Sequence, residues 1–252
     1  MQYDVRYGAA GSHRYAGTFL FVVSHMRSYS SLLCHILGSH PSISGYSEAH
    51  QSYFGRNDLD RLARTVREHT GEAALKPFVL DKVLHNNREI APDVLRRPDV
   101  RCLFLLRNAE RTISSILEMA RSLGHTGPFS DPHQVAGYYD ERLARMEDHA
   151  AHVIGRAHFV ESERLVEDTA VTLSRLTQWL GLDEPLSDRY RTFRYTGLPG
   201  HGDPSPAIKS GRVLPNTLAP RADGEAVAVP AEALARARTA YARCRSTLLR
   251  LR

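Results

Sequence analysis

The sequence predicts an α/β protein: a three-layer sandwich around a central parallel sheet. Two observations carry this. Apolar runs at Thr18–Val23, Pro77–Leu80 and Arg101–Leu106, with a shorter one at His158–Val160, lack polar alternation, as strands covered on both faces do. Segments of helical pattern separate those runs, which argues for βαβ units. A third observation sets the scale. With 252 residues, 42% of them hydrophobic and 24% charged, the chain can bury a sizeable core, and wholesale disorder is excluded.

In chain order, the polar stretch 1–17 has no apolar signal segment and is expected to be a flexible leader. One domain should follow over 18–252. The first run, Thr18–Val23, is the cleanest strand and leads through a polar turn into a helix over Ser31–Leu37. A helix is expected at Leu59–His69 and a strand at Pro77–Leu80. A helix at Ile90–Leu95 and the strand Arg101–Leu106 come next, then helices over Glu110–Leu123 and His133–Gly155. After the strand His158–Val160, a helix over Thr169–Leu180 has Asp168 or Thr169 as N-cap and Gly181 as its stop. Many Pro and Gly make 182–228 a long irregular segment. Leu234, Ala237, Tyr241, Cys244 and Leu248 recur at spacings of 3 and 4, so about 230–252 should form an amphipathic helix with arginine on its other face.

The formal charge of +5 raises the question of an anionic partner. Ala231–Arg252 holds six Arg and one Glu, which accounts for the whole excess, so no nucleic acid is expected. The basic residues are arginine except for Lys76, Lys82 and Lys209. With abundant alanine, that bias suggests a GC-rich bacterial genome. Three cysteines without CxxC spacing suit a reducing cytoplasm. His149 and His152 lie three apart, but HExxH and a Cys–His cluster are absent, so no metal is predicted. No apolar run approaches the ~20 residues that span a bilayer.

In open α/β sheets, ligands sit at the carboxyl ends of strands, where helix N-termini hold phosphate. The first strand ends in Ser24-His-Met-Arg-Ser-Tyr-Ser-Ser31. Arg27 supplies a bidentate cation there, and Ser28, Ser30 and Ser31 supply hydroxyls. The Walker pattern GxxxxGK(S/T) is absent, and no Gly or Lys lies between Gly17 and Gly38.

The run Arg27-Ser-Tyr-Ser-Ser-Leu-Leu33, then His40-Pro41, then Gly45-Tyr-Ser-Glu48, resembles the phosphosulfate-binding segment of sulfotransferases that use 3′-phosphoadenosine-5′-phosphosulfate (PAPS). Golgi-type and bacterial members carry Arg-Ser-Gly-(Ser or Thr)-Thr-Leu-Leu there, so Tyr29 stands where the family has Gly. Arg27 to Glu48 aligns without a gap to the protein-tyrosine sulfotransferases. Arg107 at a strand end, with Ser115 eight residues on, resembles the family's second motif, whose two residues bind the 3′-phosphate. His158–Leu165 and Trp179-Leu-Gly-Leu182 resemble later family segments. The resemblance covers roughly 18–215 and implies a P-loop-NTPase-like topology.

It further implies that Arg27, Ser28, Tyr29, Ser30 and Ser31 bind the donor with Arg107 and Ser115. Lys82 would lie near the sulfuryl group. Lys209, Ser210 and Gly211 loosely resemble the late loop over the 3′-phosphate. Glu48 matches the family's catalytic carboxylate. His85 is the rival base, 22 residues before Arg107, a spacing at which cytosolic members place a histidine. The expected reaction moves a sulfuryl group from PAPS to a hydroxyl of a small-molecule, carbohydrate or natural-product acceptor, without metal. A nucleotide or small-molecule kinase and a non-enzymatic anion- or nucleic-acid-binding module remain the rivals. Tyr138 and Tyr139 read as core or helix-face residues rather than a substrate platform.

Overall fold

The computed structural model describes residues 14–198, 200, 202–214 and 229–251. Residues 1–13 of the expected leader and 215–228 of the expected irregular segment lie outside them. Strands β1 (Thr18–Val23), β2 (Ile43–Ser44), β3 (Phe78–Val83), β4 (Val100–Leu106) and β5 (Ala157–Glu161) form one sheet in the order β2-β3-β1-β4-β5, every pairing parallel. This is the predicted α/β class.

Parallel strands must be covered on both faces, and here they are. Phe19, Phe21 and Val23 of β1 point into a core with Val79, Val83, Cys102, Phe104 and Phe159. Helices α2 (Arg56–Thr70), α3 (Pro92–Leu95), α4 (Ala109–Ser122), α5 (Pro132–Ala151) and α8 (Ala231–Leu248) cover that face. Leu20 and Val22 point the other way, with Leu80, Leu103 and Leu105, into a second core under α1 (Ser30–Gly38) and α7 (Thr169–Leu180). A four-residue α6 (Arg164–Glu167) precedes α7.

Several expected elements differ, each for a physical reason. The strand expected to end at Leu80 runs on to Val83, and Asp81 and Lys82 pair with Phe21 and Val22 inside the sheet. Buried charges are tolerated there because both are bonded, as described below. The helix expected from Ile90 starts at Pro92, whose ring suits a first helical position, while Ile90 bridges to Tyr53. Helix α5 ends at Ala151, and its start is fixed by Asp131, whose carboxylate accepts from His133 N and Gln134 N. Helix α7 follows Asp168, which caps nothing with its side chain, and stops at Gly181 with φ 68°. In α8 the buried face is Ala233, Ala237, Ala240, Cys244 and Leu248. Leu234 and Tyr241, expected to be buried, are only half-covered, because small residues let α8 lie close on α5. Among the described residues no helix is long and apolar enough to cross a membrane.

Candidate active site

Strands β3, β1 and β4 lie side by side, and the chain crosses β1 in passing from β3 to β4. Strand order therefore reverses at β1, and the crevice outside its carboxyl end is where such sheets take ligands.

The turn after β1 is tightly wound. Ser28 Oγ donates to His25 O (2.8 Å) and touches Ser24 Oγ (2.7 Å), so this hydroxyl holds the turn together. Arg27 and Tyr29 both adopt left-handed backbone, φ 59° and 64°. Each costs roughly 1–2 kcal/mol relative to ordinary backbone and persists only where neighbours over-determine it. Arg107 Nη1 donates to Arg27 O (2.6 Å), and Met26 N donates to the Tyr138 hydroxyl (3.0 Å). Tyr29 thus takes the conformation a glycine would take. It adds a ring over which the Arg107 guanidinium lies 4.5 Å from the centroid.

Arg107 ends β4. Its Nη2 donates to the Tyr29 hydroxyl (3.3 Å), and its backbone N donates to His25 Nε2 (3.0 Å). Burial pulls His25 down to about 3, so the ring is neutral. Since Nε2 accepts, Nδ1 carries the proton and donates to Met26 O (2.9 Å). Burial also lowers the pKa of Arg107, and its Nε is buried with no hydrogen-bond partner among the described residues. Glu110, the obvious surface partner for Arg107, instead pairs with Arg238 of α8. Arg27 reaches Ser115 on α4, Nε to Oγ 2.9 Å. Arg27, from the first matched motif, and Arg107 and Ser115, from the second, therefore form one cluster.

A second cluster lies on the β3 side. Lys82, with no exposed side-chain surface, donates to Ser31 Oγ (3.1 Å) and stands 3.8 Å from Glu48 Oε2. His85 Nε2 is 3.7 Å from Glu48 Oε1. The two rival bases are thus neighbours. Burial lowers the pKa of His85, so it stands beside Glu48 as a neutral imidazole at pH 7. Asp81, pushed up to about 7 by burial, accepts from Ala49 N (2.8 Å) and from the Tyr53 hydroxyl. It therefore grips the backbone immediately after Glu48.

The late segment contributes a residue that sequence reasoning missed. Asp203 Oδ1 pairs with Arg27 Nη1 (3.2 Å), and Asp203 N donates to Ser31 Oγ (3.0 Å). Burial pushes this carboxyl up, but Arg27 and the two bonds from Ser205 pull it below its usual value. Gly202 precedes it with φ 114°, and a Cβ there would lie 2.6 Å from Ser31 Oγ and 3.0 Å from Lys82 Nζ. Only a glycine lets the chain come this close. Lys209, Ser210 and Gly211 pack against the segment that holds Tyr190 and Gly197. Ser210 touches the Tyr190 hydroxyl, Gly211 O accepts from Tyr190 N (2.9 Å), and Lys209 covers Gly197. Among the described residues no group of three His, Cys, Asp or Glu could hold a metal ion.

No family model and no curated protein matches the sequence. Solved structures do match. The sulfotransferase domain from the curacin biosynthetic pathway aligns with a TM-score of 0.59 at 18% identity, covering 90% of this chain and 98% of that one. The sulfotransferase domain of the Synechococcus PCC 7002 olefin synthase aligns with a TM-score of 0.57 at 17% identity, covering 93% and 98%. At these identities the likeness establishes a shared fold.

Proposed function

We propose that the chain is a sulfotransferase that moves a sulfuryl group from PAPS to an acceptor hydroxyl in the cytoplasm, without a metal. The observation that carries this is the pairing of two clusters across the end of β1. Arg27, Arg107 and Ser115 gather on one side, and Lys82, Glu48 and His85 on the other. The donor set suits a bis-anionic nucleotide. Arg107 has a buried N–H without a partner among the described residues, and the N-terminus of α1 offers backbone N–H groups beside Ser30 and Ser31.

In this reading Arg107 and Ser115 bind the 3′-phosphate, and Ser30 and Ser31 bind the phosphosulfate. Arg27 and Lys82 neutralise charge growing on the leaving 5′-phosphate oxygen, and Glu48 takes the acceptor proton while His85 steadies it. The acceptor O–S bond forms as the S–O bond to the 5′-phosphate breaks, and 3′,5′-ADP leaves. Fixed charges placed before the reaction are the main catalytic resource for such a transfer. The acceptor is read as a small-molecule, carbohydrate or natural-product hydroxyl. The two similar domains, one from the curacin pathway and one from an olefin synthase, support the natural-product end of that range.

The test is release of 3′,5′-ADP from PAPS, with water as the acceptor. Wild-type protein should turn PAPS over, and Glu48→Gln should lose about 10²-fold or more in rate with 3′,5′-ADP affinity unchanged. No turnover and no nucleotide binding by the wild type would overturn the proposal. Full turnover in Glu48→Gln would move the base to His85.

A further inference from the structure

Helix α5 runs beneath the carboxyl ends of β1, β3 and β4 and bonds to all three. The Tyr138 hydroxyl accepts from Met26 N (3.0 Å) and donates to Leu84 O (2.9 Å). Met26 precedes Arg27, and Leu84 precedes His85. The Tyr139 hydroxyl donates to Arg107 O (2.6 Å). One turn later the fully buried Arg142 donates from Nε to Ser24 O (2.6 Å) and from Nη2 to Val83 O, closing the same gap between β1 and β3 from below.

We infer that Tyr138 is a positioning residue whose hydroxyl sets the distance between the Arg27 turn and the Glu48–His85 pair, while the Tyr139 hydroxyl sets Arg107. The inference rests on the PAPS reading for its kinetic consequences and on geometry for its core. A hydroxyl is the group this position requires, because it accepts from an N–H and donates to a C=O at the same time. Burial pushes Tyr138 up to about 12, so it keeps its proton throughout the physiological range. The bond it makes lies one residue before the left-handed Arg27, a conformation that needs restraint to persist. Tyr138 therefore links the donor cradle to the base, and loss of that link misplaces reacting groups without removing a ligand contact. The Tyr139 ring packs edge-on against His25 at 4.9 Å, a contact that phenylalanine keeps, while its hydroxyl bonds to Arg107 O, so loss of that hydroxyl weakens nucleotide binding.

Two single-hydroxyl deletions on adjacent residues separate these roles. Tyr138→Phe should lower kcat for PAPS hydrolysis at least fivefold with the 3′,5′-ADP dissociation constant within twofold of wild type. Tyr139→Phe should weaken 3′,5′-ADP at least threefold and leave kcat within twofold. A helix that merely supports the fold would give both variants the same pattern, and that result overturns the inference. Hydrogen exchange on the free protein gives a readout independent of the nucleotide. Tyr138→Phe should speed exchange in residues 25–29 and in 84–87, and Tyr139→Phe in neither. Wild-type exchange rates in both segments of Tyr138→Phe would overturn the inference. If wild-type protein fails to bind 3′,5′-ADP, the PAPS reading falls, and the exchange result still decides the link.

Discussion

Tyr29 stands where the resembled family has glycine, yet its backbone takes the left-handed conformation at φ 64°. Two effects oppose each other there. The conformation costs a non-glycine residue roughly 1–2 kcal/mol, and the stacked Arg107 returns about 0.5–1 kcal/mol. Glycine would relieve the first and lose the second, while adding unfolded-state entropy. Tyr29→Gly should therefore change stability by no more than about 1 kcal/mol, read as the urea midpoint. A loss of several kcal/mol would show that the ring, not the backbone, holds the turn. At this scale Arg27, Arg107, Ser115 and Glu48 were legible in the sequence, because each sits in a short local pattern. Asp81 is not marked by its sequence, because the apolar run stops at Leu80 while the strand carries the charged pair on to Val83. The contact of Asp203 with Arg27 was not legible, because nothing local marks a pairing across 176 residues.

The elements differ in the same way. Strands β1 and β4 and helix α7 carry long, unmixed patterns, and α7 has the predicted bounds. Strand β2 has two residues and α6 has four, too few for any period to register. The face of α8 was displaced because alanine buries as well as leucine when a neighbouring helix is close. The stretch Gly202–Ser205 makes a prediction of its own. Asp203 places a carboxylate on Arg27, where the proposal puts a phosphosulfate oxygen. Asp203→Asn should therefore tighten 3′,5′-ADP binding about three- to tenfold by calorimetry, since the ligand no longer competes with a resident anion. Weaker binding would make Asp203 a ligand contact instead.

Over the whole molecule, the arginine-rich α8 spends its charge inside the fold. Arg236 and Arg243 pair with Asp140, Arg243 also with Glu147, Arg238 with Glu110, and Arg245 with Glu161. Each exposed pair is worth little in stability, and together they tie the arginines of α8 to carboxylates on α4, α5 and β5. The pH dependence of stability has a different source. Burial holds His25 and His149 at about 3 and His35 at about 4, all below the usual 6.5. Above pH 6.5 they are neutral folded or unfolded. Below it the unfolded chain takes up protons the folded chain refuses, so stability falls. Asp81, raised from 3.8 to about 7, acts in the opposite direction, losing stability as pH rises through that interval. With these three and His85, also lowered by burial, against Asp81, the urea midpoint should fall as pH drops from 7 to 5, with a slope of at least about two protons. Asp81→Asn should steepen that slope by about one proton. A midpoint that rises on acidification would contradict the burial of these histidines.

The central claim is that the two clusters at the end of β1 form a binding site for a 3′-phosphorylated adenine nucleotide. Calorimetric titration of 3′,5′-ADP into wild-type protein and Arg107→Ala tests it most directly. The wild type should bind at one site per chain, and Arg107→Ala at least tenfold more weakly, the effect of removing charge-assisted phosphate contacts of about 1.5–3 kcal/mol. No binding to the wild type, or equal binding to both proteins, would contradict it.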